Sequence, residues 1–280
     1  MKLISHFNAL LIISTCLSMF NFPCFAKENW RERAAVRDDV TSSDVSAEIT
    51  FGRAIAARIL GQYKGYNDSE LTKYVNLVGL SLARNTNRPE LEYHFMVLNT
   101  GDVNAYAAPG GYIFITKGAL QLMKDESELA GVLSHEISHV TEKHVVKELN
   151  IKGDDDSVMT GLAELVGGKT ESARAVFSQA VERGLDLIFK NDYKREDEMQ
   201  ADRTAVSICA LDQYDPAGLA RYLERISTIK GKLPEKSDDS HPTFATRIAQ
   251  INGVIKRDGI EAMGLSTNES RFSAAVKNIK

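Results

Sequence analysis

The sequence predicts a helix-dominated α+β fold built around one small sheet. Helical periodicity of apolar residues covers most of the chain after about residue 45. Only two stretches, 91–98 and 112–116, have the β-branched and aromatic content typical of strands. The 280 residues are 43% hydrophobic and 26% charged, which is the composition of a globular protein and excludes a disordered or low-complexity chain.

The charge balance argues against nucleic acid as a partner. The chain has 34 Lys and Arg residues against 38 Asp and Glu residues, a formal net charge of −4. Such a chain is not drawn electrostatically to nucleic acid or to anionic lipid. We therefore expect no nucleic-acid partner and no more than peripheral contact with a membrane.

The first 26 residues have the pattern of a secretory signal peptide. Lys2 precedes an apolar stretch at about 9–20, and Cys24-Phe25-Ala26 offers small side chains at positions −3 and −1 of a cleavage site. An uncleaved membrane anchor is the alternative, although the apolar stretch is short for a bilayer span. We assign residues 1–26 to a signal peptide and expect the mature protein in the periplasm.

Cysteine usage bears on anchoring and on stability. A lipoprotein needs a small residue before its acylated cysteine, and the residues before Cys16 and Cys24 are Thr and Pro, which fit poorly. Cleavage after residue 26 leaves Cys209 as the sole cysteine, so an intramolecular disulfide is excluded. We expect stability to come from a core, from a bound metal, or from both.

The predicted elements divide the mature chain into a lead-in, a folded domain and a tail. Residues 27–43 are charged and are interpreted as a flexible lead-in, the domain spans 44–257, and 258–280 is expected to be weakly structured. Between the two strands, 104–111 is a turn-rich connection. Helices are expected at about 45–62, 69–85 (with Asp68 as N-cap), 126–149, 172–190, 194–210, 215–229 and 242–256.

The 126–149 helix carries the sequence His135-Glu136-Ile137-Ser138-His139, an H-E-x-x-H pattern. Residues four apart on a helix lie about 40° apart around its axis, so both imidazoles point the same way and can share one zinc ion. Glu136 is placed to take a proton from a metal-bound water. The alternative is a solvated helix that carries two histidines by accident.

A catalytic zinc needs a third protein ligand and an open position. If the helix continues, His144 lies about 140° from His139, so we interpret it as a helix-end or surface histidine. Glu198 and Asp202 are a better pair, because they share one helical face near apolar residues. One carboxylate would bind the metal while the other orients a ligand histidine. A solvated acidic face remains the interpretation for the neighbouring residues 196 and 197.

Several motifs, taken in order, carry a resemblance to a known family. They are Tyr74-Val75-x-x-Val78-Gly79, Asn104-Ala-Tyr-Ala-Ala-Pro-Gly-Gly-Tyr112, the H-E-x-x-H segment, Glu198-x-x-Ala-Asp202 and His241-Pro242-x-x-x-x-Arg247-Ile248. Over about residues 45–256 the chain resembles the M48 family of zinc metallopeptidases, and within it the soluble periplasmic branch.

This resemblance implies a zincin-like metalloprotease domain with one Zn²⁺ per chain. It implies zinc on His135, His139 and Glu198, with Glu136 as general base and Asp202 behind the ligands. It also implies that the strand at 112–115, with the preceding segment 104–111, lines the active-site cleft as an edge strand. An extended substrate would bind there by strand addition, at Asn104, Gly111, Tyr112 and Ile113.

His241 is the remaining candidate site residue. It follows a polar stretch, and Pro242 fits the first turn of the next helix. His241 could stabilise a tetrahedral oxyanion, or occupy the open zinc position and hold the resting enzyme latent, or have no catalytic role. The sequence leaves these three readings open.

The expected function is zinc-dependent hydrolysis of peptide bonds in unfolded or misassembled cell-envelope proteins, as part of protein quality control. The expected partners are therefore protein or peptide substrates, outer-membrane proteins among them. The alternative is a zinc-stabilised binding module or holdase that captures envelope proteins by strand addition with little proteolysis. A saturated metal site would favour this alternative, because structural zinc sites are closed.

Overall fold

The computed structural model describes residues 29–36, 40–153, 171–190, 193–230 and 242–279. The predicted signal peptide and His241 lie outside these residues. The helices are α1 (Trp30–Ala34), α2 (Ser42–Tyr63), α3 (Ser69–Ala83), α4 (Lys117–Leu122), α5 (Glu126–Thr141), α6 (His144–Glu148), α7 (Glu171–Lys190), α8 (Arg195–Leu211), α9 (Ala217–Lys230), α10 (Phe244–Arg257) and α11 (Glu269–Val276), with a 3-10 turn at Ile260–Met263. The strands are β1 (His94–Leu98), β2 (Ala105–Ala108) and β3 (Tyr112–Thr116). The predicted helix-dominated α+β class is confirmed.

Local capping residues explain where two central helices begin. Asp68 accepts a hydrogen bond from the Leu71 amide at 3.0 Å, which confirms it as the N-cap of α3. Asp125 accepts from the Glu128 amide at 3.0 Å and starts α5 in the same way. Each carboxylate satisfies a backbone donor that has no partner within the helix.

The sheet corrects two expectations. Its order is β1-β3-β2, with β3 in the centre, parallel to β1 and antiparallel to β2. The connection 104–111 therefore contains a strand, and the strand at 112–116, expected at the edge, is the central one. The reason is the tight turn at Gly110 and Gly111, whose φ angles of 75° and 94° favour glycine and reverse the chain so that Ala108 pairs with Tyr112.

The predicted 126–149 helix is broken in two. α5 ends at Thr141, Lys143 takes a left-handed conformation (φ 59°, ψ 36°), and α6 starts at His144. The break turns His144 back toward α5, and only 4% of its surface is exposed. His144 was interpreted as a helix-end or surface histidine. It does lie at a helix end, as the first residue of α6, but its assignment to the surface, which assumed a continuous helix, is wrong.

Helix α5 lies in the middle of the molecule. Its residues are buried along almost its whole length, against the sheet and against α3, α8 and α9. Close approach to α9 requires Gly131, because a Cβ at that position would lie 2.8 Å from the Leu219 backbone nitrogen. On the other side of the sheet, α2 and α7 form a second apolar cluster. None of the described helices combines the length and the apolar character needed to cross a bilayer.

Both ends of the described chain are more ordered than expected. In the predicted lead-in, Trp30 of α1 is buried against the main core. In the predicted weak tail, Phe272 of α11 is 1% exposed and the Thr267 carbonyl accepts from the Ser127 amide at 3.1 Å. The expectation of weak structure is therefore wrong for residues 260–276, because an apolar side chain and the start of α5 hold this segment.

The C-terminal segment is also tied to α5 by charge, and this predicts a stability effect. Arg271 donates to the fully buried Glu126 carboxylate. We expect Arg271→Met to lower the free energy of unfolding by about 1–3 kcal/mol, because charge-assisted hydrogen bonds to a buried group are lost. Urea unfolding measures the change. The matched control is Arg58→Met: both arginine side chains are 59% exposed, but Glu182, the partner of Arg58, is itself 58% exposed, so the change should stay below about 1 kcal/mol.

The same pair should respond to pH. Burial alone would raise the pKa of the Glu126 carboxyl, but hydrogen bonds from Arg271, Tyr214 and Tyr74 outweigh it and hold that pKa below its ordinary value. A lowered folded-state pKa gives stability that is present above the unfolded pKa of about 4.3 and is lost as the pH falls. The gap between wild type and Arg271→Met should therefore close below about pH 4. An undiminished gap there would contradict the role given to Glu126.

Candidate metal centre

Small side chains let α5 and α8 approach closely, and this brings the predicted ligands together. Ser134 on α5 contacts Cys209 on α8, with Sγ and Oγ 3.3 Å apart. Ala201 and Ala205 of α8 are buried. The H-E-x-x-H face of α5 therefore lies beside the first turns of α8.

The structure places His135, His139 and Glu198 around one point. The Nε2 atoms of the two histidines are 3.1 Å apart. Glu198 Oε1 lies 3.4 Å from His139 Nε2, and Glu198 Oε2 lies 3.6 Å from His135 Nε2. Ligands about 2.1 Å from one ion in tetrahedral geometry are about 3.4 Å apart. The three side chains therefore fit a shared metal ion, and one ligand atom from each can be chosen so that all lie within 4.8 Å of one another.

Asp202 and Arg247 lie directly behind this group. Asp202 Oδ1 is 3.0 Å from His135 Nδ1, and the Asp202 side chain is 0% exposed. Arg247 donates to both Asp202 oxygens, at 2.7 and 2.8 Å, and its Nη1 lies 2.9 Å from Glu198 Oε2. Burial would raise the pKa of both carboxyls, but the Arg247 charge and the nearby imidazoles hold each pKa below its ordinary value. Both groups are therefore carboxylates.

His139 has a different kind of partner from His135. Its Nδ1 lies 2.9 Å from His144 Nδ1, and the Tyr193 ring stacks on it with ring centres 4.1 Å apart. Burial, helped by the charge on His139, lowers the pKa of His144 to about 3. A neutral His144 can accept the Nδ1–H proton of His139 and fix its tautomer, as a carboxylate or carbonyl does in other metal sites. His144 Nε2 is buried with no hydrogen-bond partner among the described residues, 3.7 Å from Asp197 Oδ1.

The metal group borders a cavity of about 320 Å³, which is lined by His135, His139, Glu198 and Arg247. Glu136 lines it, and burial raises the pKa of this carboxyl above its ordinary value. The strand β2 lines one side of the cavity, and mostly apolar residues of α5, α9 and α10 line another: Val132, Leu219, Tyr222, Leu223, Ile226 and Phe244. The cavity thus combines ionisable groups with an apolar wall, which is typical of a binding site.

Comparison with known proteins decides the family. The model of Peptidase family M48 matches residues 69–255, which is more than half of the chain. The chain belongs to peptidase family M48. The resemblance noted in the sequence is therefore confirmed, and so is the expectation of a metallopeptidase at the level of the family.

Curated relatives of this M48 chain are similar at low identity. The beta-barrel assembly-enhancing protease of Escherichia coli K12 is 24% identical over 253 residues, which cover 84% of this chain and 49% of the relative. The metalloprotease LoiP of the same organism is 28% identical over 194 residues, covering 69% and 74%. The metalloprotease YcaL, also from E. coli K12, is 24% identical over 211 residues, covering 75% and 80%. The chain spans about half the length of the first of these relatives.

The structure brings one of the four predicted substrate residues of this M48 domain to the cavity. Asn104 lines it, together with Ala105, Tyr106 and Ala107 of β2. Gly111, Tyr112 and Ile113 do not line it: Ile113 is buried in the core of the central strand, and Tyr112 stacks on His94 away from the metal group, with ring centres 5.1 Å apart. These three assignments are corrected because β3 is paired on both sides and cannot receive a further strand.

Two residues of this M48 site were missed as site residues in the sequence. Arg247 lies one helical turn before the buried Ile251 on α10, a spacing that could have indicated burial against α8. His144 was missed because no glycine marks the end of α5. The left-handed residue at this position is Lys143, whereas glycine is the usual residue there. His241 lies outside the described residues, although Pro242, Thr243 and Phe244 after it line the cavity.

The contact between His144 and His139 predicts an effect on metal affinity. Replacing His144 with Phe should weaken metal retention by about 10–100-fold, because His139 loses the group that orients its ring. Chelator competition on purified protein measures this without any activity assay. His94→Phe changes an exposed histidine of β1 and is the control. Equal metal affinity in His144→Phe and wild type would show that His144 does not support the site.

Proposed function

We propose that this M48 protein is a zinc-dependent endopeptidase that hydrolyses unfolded or misassembled proteins of the cell envelope. The observation that carries the proposal is the group of three donors, His135, His139 and Glu198, on the wall of a cavity that Glu136 also lines. Among the described residues this group has three members, not four. Three protein ligands with a position left for water are typical of catalytic zinc.

The His, His, Glu donor set fits zinc, which accepts both nitrogen and carboxylate ligands. When bound, zinc supplies a water with a pKa lowered to about 7 and polarises the scissile carbonyl. Glu198 can offer Oε1 to the ion while Oε2 stays with Arg247. Asp202 would hold the His135 ring through Nδ1, and His144 would do the same for His139.

Glu136 is the proposed general base. Its carboxylate would take the proton from the attacking water and pass it to the leaving amine. The raised pKa of Glu136 suits both steps. A higher pKa makes the carboxylate a better proton acceptor, and a pKa near the working pH still lets it return the proton to the leaving amine. The role of His241, as oxyanion stabiliser or as a block on the metal, stays a prediction.

The proposed substrate is an extended chain held along β2. In the part of the chain that the structure describes, β2 pairs with β3 on one side and has no strand on the other, and residues 104–107 line the cavity. Strand addition uses main-chain hydrogen bonds and asks for little sequence preference. The apolar wall formed by α9 and α10 would accept large apolar side chains, which are exposed in unfolded proteins and buried in folded ones.

The proposed location is the periplasm, supported by the signal peptide predicted at 1–26. The first relative reported above is named for enhancing β-barrel assembly, which supports outer-membrane proteins as a substrate class here. The holdase alternative has less support, because a structural zinc site would be saturated by protein ligands.

The Glu136→Gln variant tests the proposed chemistry. We expect it to keep its metal and to lose hydrolysis of casein by at least about 100-fold, because the proton acceptor is removed while the ligands remain. Metal analysis and casein cleavage, each with and without a chelator, measure the two properties. Glu196→Gln, on the exposed start of α8, should leave both unchanged. Full activity in Glu136→Gln would refute the assigned base, and wild-type cleavage that resists the chelator would refute metal dependence.

A further inference from the structure

A buried ion pair lies one layer behind the cleft, outside the metal centre. Glu48 of α2 and Arg88 of the α3–β1 connection are each 3% exposed, and Glu48 Oε2 lies 2.8 Å from Arg88 Nη2. Burying two charges carries a desolvation penalty that is about as large as their mutual attraction. The net stability of the pair therefore does not explain why two charged side chains are buried here. The other hydrogen bonds that Glu48 and Arg88 make do explain it.

One end of the pair holds the turn that follows β2. Glu48 Oε1 accepts a hydrogen bond from the Gly110 amide at 3.1 Å. The turn is pressed onto α2, because a Cβ on Gly110 would lie 2.7 Å from the Ile49 Cα and a Cβ on Gly52 would lie 1.7 Å from the Pro109 oxygen. The turn that ends the cavity-lining strand is thus fixed against α2 by a charge-assisted hydrogen bond.

The other end of the pair holds the last turn of the metal-binding helix. Arg88 Nη1 donates to the carbonyl of Val140, the residue after His139, at 3.4 Å, and Arg88 Nε donates to Glu90. Glu48 and His139 line the same small pocket, together with Ala107 of β2. The ion pair therefore links the strand that faces the cavity to the helix that carries two of the proposed metal ligands.

We propose that Glu48 and Arg88 are positioning residues that fix the spacing between β2 and the metal centre. The proposal rests on the proposed function, in which β2 holds the substrate chain. A substrate chain added to β2 binds tightly only if β2 is already ordered beside the cavity, because ordering a mobile strand on binding weakens the affinity. β2 is four residues long and, among the described residues, has β3 as its one partner strand, so the anchored turn is an important restraint on its last residues. The Glu48 carboxylate accepts from Arg88 on one side and from the Gly110 amide on the other. These directional hydrogen bonds fix the turn at Gly110 against α2 and α5, whereas apolar contacts alone would let it shift.

Two variants of Glu48 separate positioning from plain stability. Glu48→Met keeps the volume and removes the acceptor, while Glu48→Gln keeps an amide oxygen for the Gly110 amide and removes the charge. In Glu48→Met we expect amide hydrogen exchange at 104–111 to become about tenfold faster, and KM for a cleaved peptide to rise about tenfold with kcat within about twofold. In Glu48→Gln we expect smaller changes in the same direction. Metal affinity, measured by chelator competition, should match wild type in both.

Glu126→Gln is the matched control, because it neutralises another buried carboxylate paired with an arginine, at the opposite end of α5. It should lower stability while exchange at 104–111 and KM stay at wild-type values.

Unchanged exchange at 104–111 in both Glu48 variants, or the same rise in KM in Glu126→Gln, would overturn the proposal. Hydrogen exchange needs no catalysis, so a wild type without peptidase activity would refute the proposed function and leave this readout intact. If Glu48→Met does not fold, Glu48→Gln decides the outcome.

Discussion

The close approach of α5 to α8 is the constraint on which the rest of the structure depends. Two imidazoles on one helix and a carboxylate on another come within 3.6 Å of each other in a buried region. This distance is reached because serine, alanine and cysteine side chains form the helix interface beside them. A larger residue at Ala201 or Ala205 would separate the helices, and the three donors could then no longer share one ion.

The carboxylates of the site favour a cation at this point. Among the described residues, Glu198 and Asp202 are buried beside the guanidinium of Arg247, and Glu136 lines the cavity in front of them. Buried carboxylates need partners, and Arg247 holds the two acidic side chains of α8 in place. A bound divalent cation would add positive charge beside Glu136 and Glu198.

The sequence predicted the parts of this arrangement that depend on local periodicity. The H-E-x-x-H spacing and the four-residue step from Glu198 to Asp202 each place two side chains on one helical face, and both steps are present in the structure. Asp68 gave the correct start of α3 for the same local reason. The shared helical face of Glu198 and Asp202 and their apolar neighbours indicated that one of them binds the metal, and the family resemblance implied that this ligand is Glu198.

The parts that could not be predicted depend on distant contacts. α5 ends at Thr141 where the side chain of Glu142 accepts hydrogen bonds from Gln200 and Thr204 of α8, and no local residue marks that stop. β2 is rich in alanine, which has little intrinsic preference for strands, so its strand character comes from pairing with β3. The position of β2 relative to His139 depends in turn on Glu48 and Arg88, which lie on elements far apart in sequence.

A crystal structure of the zinc-loaded protein, with anomalous data at the zinc edge, tests directly whether α5 and α8 share one metal ion. We expect one anomalous peak about 2.0–2.2 Å from His135 Nε2, His139 Nε2 and an oxygen of Glu198. We also expect that Asp202 and Arg247 stay behind the ligands and that the fourth position faces the cavity. A peak whose coordination excludes Glu198, or an ion bound elsewhere on the chain, would contradict the shared site.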